Sequence, residues 1–281
     1  PVKTRDRQER LTESRGNPGI FDEARKQAAK RSRGFEAPLA CIDCVEAAAT
    51  KPFARGLAFE REAFQRCRTS SQSKAQRHAF FAEREARRVR GVSEDTKELA
   101  IRKGAVLGCG TMGGGIAMCF ANAGIPVMVT EGDRAALDRG MDTIRKNYAS
   151  SVSKGSLSAA DAEARIALIE PTLDFDRVSD ADIVIEAVFE SMDLKKEIFG
   201  KLDKLCRPDA ILATNTSSLD VNEIAEVTSR PAQVVGTHFF SPANVMRLLE
   251  IVRGAKTSPE VLATTLTLSK RLGKVGVVVG V

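Results

Sequence analysis

Tryptophan is absent from the 281 residues, tyrosine occurs once and histidine twice. Six scattered cysteines are too few for a disulfide scaffold in a chain this long, which suits a reducing compartment. Cys41 and Cys44 form a Cys-x-x-Cys pair, yet a zinc ribbon needs a second one. Cys67, Cys109, Cys119 and Cys206 stand singly, so no metal is expected. Long apolar runs are missing too: the richest, residues 115–129, is broken by Asn122 and Pro126, and no membrane span is expected. The start of the chain has no apolar signal core and mixes Asp6, Glu9 and Glu13 with its arginines. It fits no export or organelle signal, and a cytoplasmic location is expected. An initial methionine is lacking as well. The chain opens on Pro1 and closes on the strand-like Val277-Val278-Val279-Gly280-Val281 with no turn after it, which reads as a fragment of a longer protein.

What is present is ordinary globular material. Hydrophobic residues make up 43% and charged residues 28%, enough for a core in one large domain or two modest ones. The net charge of +6 hides an asymmetry: residues 1–103 hold 24 basic against 15 acidic side chains, residues 104–281 hold 19 against 22. The basic part interleaves arginines with acids and offers no aromatic stacking platforms, so nucleic acid is not an expected partner.

Residues 1–59 carry short helix-compatible runs at 38–49 and 52–64, interrupted by Gly16, Pro18, Gly34 and Gly56. Residues 60–90 are charged and poor in glycine and proline, with apolar Ala79, Phe80, Phe81, Ala82, Ala86 and Val89; the pattern predicts an amphipathic connector helix. Gly91 and the polar run Ser93-Glu94-Asp95-Thr96-Lys97 loosen it, and the connector is placed at 60–102. From 103 to 281, β-branched runs alternate with helical stretches, the rhythm of a parallel sheet with crossover helices. Strands are predicted near 104–108, 126–131, 167–171, 182–187, 210–214, 233–238, 247–252 and 275–280. Helices are predicted near 113–123, 133–154, 190–205 and 258–272.

Gly108-Cys109-Gly110-Thr111-Met112-Gly113 is a G-x-G-x-x-G between a predicted strand and a predicted helix. Gly108 permits the tight turn, Gly110 lets a pyrophosphate approach the backbone, and Gly113 allows close helix–strand packing. The helix N-terminus then offers free N–H groups to phosphates. The next strand leads to Glu131, where an acid accepts hydrogen bonds from an adenosine ribose and repels a 2′-phosphate, so NAD is favoured over NADP.

The two histidines read differently. His78 lies among Arg77, Arg84 and Arg87 and fits a solvated surface. His238 ends an apolar strand, at the sheet edge where ligands bind, and is either a catalytic group or a satisfied structural one. Glu250 interrupts the apolar Leu248-Leu249-Glu250-Ile251-Val252, where a buried carboxylate demands a partner. A histidine general base held by that carboxylate meets the demand; a surface pair with Arg247 or Arg253 is the alternative. Thr214-Asn215-Thr216-Ser217-Ser218 follows another strand and either hydrogen-bonds a substrate oxygen or caps a helix starting near Asp220.

Taken together, Gly108–Gly113, Ile183-Val184-Ile185-Glu186-Ala187-Val188-Phe189-Glu190, Asn215-Thr216-Ser217-Ser218 and His238-Phe239-Phe240-Ser241-Pro242 with Glu250 resemble the NAD-binding domain of the 3-hydroxyacyl-CoA dehydrogenase family. The resemblance runs from about Arg102 to Val281 and implies an α/β, Rossmann-type doubly wound sheet behind a helical segment. Residues 72–84 are similar to the connector of multifunctional fatty-acid oxidation proteins, and residues 1–59 to the closing helices of an enoyl-CoA hydratase/isomerase domain. The implied activity is NAD-dependent oxidation of (S)-3-hydroxyacyl-CoA to 3-oxoacyl-CoA in fatty-acid β-oxidation; a non-catalytic NAD-binding or scaffolding fragment is the alternative. His238 is then the general base, Glu250 its partner and Ser217 a contact to the reacting oxygen. Met112, Glu131, Val188, Phe189, Glu190, Lys195 and Ser217 join the glycines at the cofactor. Ser241 joins them where the family often has asparagine, with a shorter reach. Lys154 resembles a position contacting the CoA moiety. A thiolase partner or a homodimer is implied for the full-length protein.

Overall fold

The computed structural model describes residue 5 and residues 11–17, 19–86, 88–93 and 95–281. Pro1, Asp6, Glu9, Pro18, Arg87 and Glu94 and the side chain of Glu13, all read above, lie outside the described residues. Two compact units divide at Arg84/Glu85. No helix among the described residues is long and apolar enough to cross a membrane.

The first unit is helical: α1 (Leu11–Gly16), α2 (Gly19–Arg31), α3 (Ala37–Thr50), α4 (Phe53–Thr69) and α5 (Ser71–Glu85). Pro38 sits in the first turn of α3, where a missing N–H costs nothing. Arg25 ties α2 to α3 through Asp43, at 2.9 Å, and Glu46. Glu60, taken above as the start of the connector, falls in the middle of α4. The single helix predicted over 60–90 is two, because hydroxyls compete with the helix ladder at its waist. Thr69 Oγ1 donates to the Gln65 carbonyl and Ser70 Oγ to that of Cys67, while Ser70 Oγ accepts the N–H of Ser73 and so starts α5. Phe80, Phe81 and His78 on α5 are exposed.

The second unit holds β1 (Gly104–Leu107), α6 (Thr111–Asn122), β2 (Val127–Thr130), α7 (Arg134–Ser153), α8 (Ala159–Ala167) and β3 (Ile169–Thr172). β4 (Ile183–Glu186), α9 (Met192–Leu205), β5 (Ile211–Thr214), α10 (Val221–Glu226), β6 (Val234–Phe239), β7 (Leu248–Arg253), α11 (Pro259–Arg271) and β8 (Val275–Gly280) follow. All eight predicted strands are present, in one sheet of order β3-β2-β1-β4-β5-β6-β7-β8. β1, β2, β4 and β5 are buried along their whole length, as strands covered by helices on both faces must be. One apolar cluster lies under α6, α7 and α11, another under α9 and α10.

In the second unit the structure departs from the sequence reading in two ways. β6 and β7 pair antiparallel, because the connection over 240–247 is too short for a crossover. An additional helix, α8, follows the break at Gly155, started by Ser158, whose Oγ accepts the N–H of Asp161 at 3.0 Å.

Candidate functional site

Strand order reverses between β1 and β4, which opens a crevice at the carboxyl ends of the strands. The glycine turn sits there. Gly108 has φ +95°, and a Cβ on it would meet the Ala187 carbonyl oxygen at 2.8 Å. A Cβ at Gly113 would lie 1.9 Å from the Gly108 carbonyl oxygen, so the helix can approach the turn only as glycine. At Gly110, the N-cap of α6, a Cβ would meet nothing within 4 Å and no side chain caps the helix. The start of α6 is thus left without a side-chain cap, beside a turn where no neighbouring atom crowds an approaching anion.

Glu131 follows β2 beside this turn. Its carboxylate accepts the N–H of Cys109 at 2.9 Å and of Gly132 at 3.0 Å, so it is aimed before any ligand arrives. A cleft of about 300 Å³ joins Gly110 and Glu131 to Arg139, Thr143 and Asn147 on α7 and to Pro242. Met112 is half-buried against the core under α6, and Ser241 is exposed just before Pro242. Lys154, the C-cap of α7, is exposed and lies one helical stretch beyond the cleft's last α7 residue, Asn147.

On the other side of the strand-order switch, a polar network closes over the ends of β4 and β5. Glu186 ends β4 with its side chain fully buried; Lys195 from α9 is 1% exposed. Lys195 Nζ donates to Glu186 Oε1 at 2.8 Å and Oε2 at 2.9 Å, and the Thr214 hydroxyl and Val188 N–H complete the carboxylate's partners. Lys195 also lies 3.3 Å from Glu190 Oε2. Glu190 Oε1 accepts the Thr216 hydroxyl and the Ser217 N–H, with the Ser217 hydroxyl at 3.4 Å. Burial pushes the Glu190 carboxyl up, but Thr216, Ser217 and Lys195 outweigh it and hold it below the usual carboxylate range. Phe189, 86% exposed, stands at the rim beside half-buried Val188.

The run 214–218 divides its labour. Asn215 Oδ1 accepts the Phe239 N–H and so ties the end of β5 to that of β6, while the cap of α10 is Asp220, which accepts the Asn222 N–H. Thr214 and Thr216 serve the two glutamates. Ser217 and Ser218 remain exposed.

His238 on β6 stands directly opposite Glu250 on β7, with Nδ1 2.8 Å from Glu250 Oε2. Their side chains are 20% and 34% exposed. Arg253 turns instead to the Arg90 carbonyl. The carboxylate fixes the proton on Nδ1 and leaves Nε2 to accept one, the arrangement a general base requires.

Sequence reasoning missed Glu186, although the signal was the one used for Glu250: an acid interrupting an apolar run, here Ile183-Val184-Ile185-Glu186-Ala187-Val188, with a lysine nine residues on.

Comparison with known proteins agrees with this geometry. Residues 103–281 match the family model "3-hydroxyacyl-CoA dehydrogenase, NAD binding domain". The peroxisomal bifunctional enzyme of Danio rerio is 42% identical over 269 residues, 94% of this chain and 37% of that protein. The fatty acid oxidation complex subunit alpha of Shewanella baltica is 38% identical over 262 residues, 92% of this chain and 37% of that protein. Among solved structures, 3-hydroxybutyryl-CoA dehydrogenase from Escherichia coli superposes with a TM-score of 0.64 at 38% identity, covering 65% of this chain and 39% of that one. The chain thus spans little more than a third of the length of these curated relatives. With the glycine turn, the acid after β2 and the eight-stranded sheet in place, the chain belongs to the 3-hydroxyacyl-CoA dehydrogenase family, and residues 103–281 are its NAD-binding domain.

Proposed function

We propose that the protein oxidises (S)-3-hydroxyacyl-CoA to 3-oxoacyl-CoA in fatty-acid oxidation, as part of a longer multifunctional enzyme. The observation that carries this reading is the His238–Glu250 pair at the sheet's carboxyl edge, on the same edge as the dinucleotide turn. Bound NAD supplies the hydride acceptor. His238 Nε2 takes the proton of the substrate's 3-hydroxyl as hydride leaves C3, and Glu250 stabilises the imidazolium that forms. Ser217 orients the reacting oxygen, with its loop held by Glu190. Gly108, Gly110 and Gly113 admit the pyrophosphate, Glu131 takes the adenosine ribose, and Met112, Val188, Phe189 and Ser241 line the rest of the cofactor's path. Lys154 is assigned to the CoA moiety.

Residues 1–59 are read as the end of a hydratase-like domain and 60–102 as connector, with thiolase or a second copy as partner of the whole protein. The test is NADH formation by the full-length protein with (S)-3-hydroxybutyryl-CoA. Robust turnover is expected, and a folded protein that binds NAD without turning over any chain length would instead establish the scaffolding reading. Location is proposed as cytoplasmic from the sequence, while the relatives from Danio rerio and Oryza sativa carry peroxisomal names. A fluorescent tag on the full-length protein in its own cells decides between the two.

Glu131→Ala is expected to weaken NAD binding by about 1–3 kcal/mol, through loss of charge-assisted hydrogen bonds to the ribose, without unfolding the domain. Unchanged affinity by calorimetric titration would remove Glu131 from the site.

A further inference from the structure

We propose that Glu190, backed by the buried Glu186–Lys195 pair, makes the site prefer the oxidised, cationic nicotinamide ring over the reduced, neutral one. The inference rests on the NAD-dependent reading above and adds a determinant of which redox form is held.

Position comes first. Gly110 takes the pyrophosphate and Glu131 lies after β2, to one side of it; the strand order then continues β1-β4-β5-β6 to the other side. A dinucleotide anchored at both points lays its second nucleoside over the ends of β4 to β6. Glu190, Ser217 and His238 stand at those ends.

Charge comes next. The Lys195 ammonium is matched to Glu186 by two short bonds with both side chains out of solvent. It reaches Glu190 through one longer contact of 3.3 Å. Two carboxylates share one ammonium, so the cluster is net negative, and the member that faces outward is Glu190, with 39% of its side chain exposed. Thr216 and the Ser217 N–H fix that carboxylate in place and favour its ionised form. A fixed negative charge beside a ring that is cationic only when oxidised binds the two forms unequally, by about tenfold after solvent screening. Alcohol oxidation starts from the oxidised form. When hydride leaves C3, the ring's positive charge disappears and one appears on His238, where Glu250 receives it. Glu190 thus serves the reactant state and Glu250 the charge that replaces it.

The test is a pair of titrations of the full-length protein, with NAD and with NADH, on wild type and Glu190→Gln. Glutamine keeps the size and an acceptor for Thr216 and Ser217 but drops the charge. The ratio of the NAD to the NADH dissociation constant is expected to rise about tenfold in the variant. Raising ionic strength on the wild type is expected to move the ratio the same way, an arm that does not depend on the variant folding. Glu197→Gln, on α9 where Glu197 pairs with Lys201 in solvent, is expected to leave the ratio alone. An unchanged ratio in Glu190→Gln, even with both forms bound more weakly, overturns the proposal and leaves Glu190 a purely hydrogen-bonding role. A shift of equal size in Glu197→Gln also overturns it. If wild type binds neither form, the NAD-dependent reading itself falls.

Discussion

In the full-length protein, His238→Gln is expected to cut turnover at least about 100-fold while leaving NAD affinity unchanged, because on the proposed mechanism it removes the base and nothing else. Glutamine can still hydrogen-bond Glu250 from β6, so the β6–β7 pair keeps its shape. The hydroxyl proton then has no acceptor of suitable basicity beside it, and the hydride cannot leave C3 without that acceptor. Single-turnover measurement of NADH formation separates this loss from any change in product release. Turnover within a few-fold of wild type would strip His238 of its role as the base.

Lys195→Met is expected to produce the largest loss of stability, about 3–5 kcal/mol, since it leaves the Glu186 carboxylate charged and unpaired in a fully buried position. Urea unfolding of the second unit's sheet should show it as a lower midpoint. The double variant Glu186→Gln/Lys195→Met should recover much of the deficit, because the desolvation penalty disappears with the charge. A loss below about 1 kcal/mol in Lys195→Met would mean that the pair is not what holds these strand ends.

The centre of the sheet was legible because β1, β2, β4 and β5 are short apolar runs buried on both faces, and such runs leave no other way to bury themselves. Its one reversal of direction was not. Direction is set by the length of the connection, and the eight residues between Phe239 and Leu248 carry no propensity signal that announces it. The helix α8 was legible in principle, since Ser158 and Asp161 have the spacing of a cap, but Gly155 and Ser156 masked it as loop. At the site, glycine spacing, the acid after β2 and the buried-acid rule singled out the turn, Glu131 and the His238–Glu250 pair. The lower storey of the network was hidden. The family resemblance put Lys195 at the cofactor, but the helix pattern does not tell it from its charged neighbours, and only the three-dimensional position of Glu186 shows that this charge points inward. The helix break at Ser70 was hidden for a related reason: hydroxyl competition depends on which carbonyls are within reach.

The pairing of His238 with Glu250 across two adjacent antiparallel strands has a consequence for how the pair tolerates change. Because side chains alternate between the two faces of a strand, a one-residue insertion or deletion within β6 or β7 would send one partner to the opposite face of the sheet. The pair is therefore all-or-none with respect to slippage: two residues' displacement restores the facing but separates the groups along the strand, and no intermediate alignment preserves the contact. Loops around the crevice are free to vary in length, whereas these two strands are bound to keep their residue count between the ties at Gly236 and Phe239.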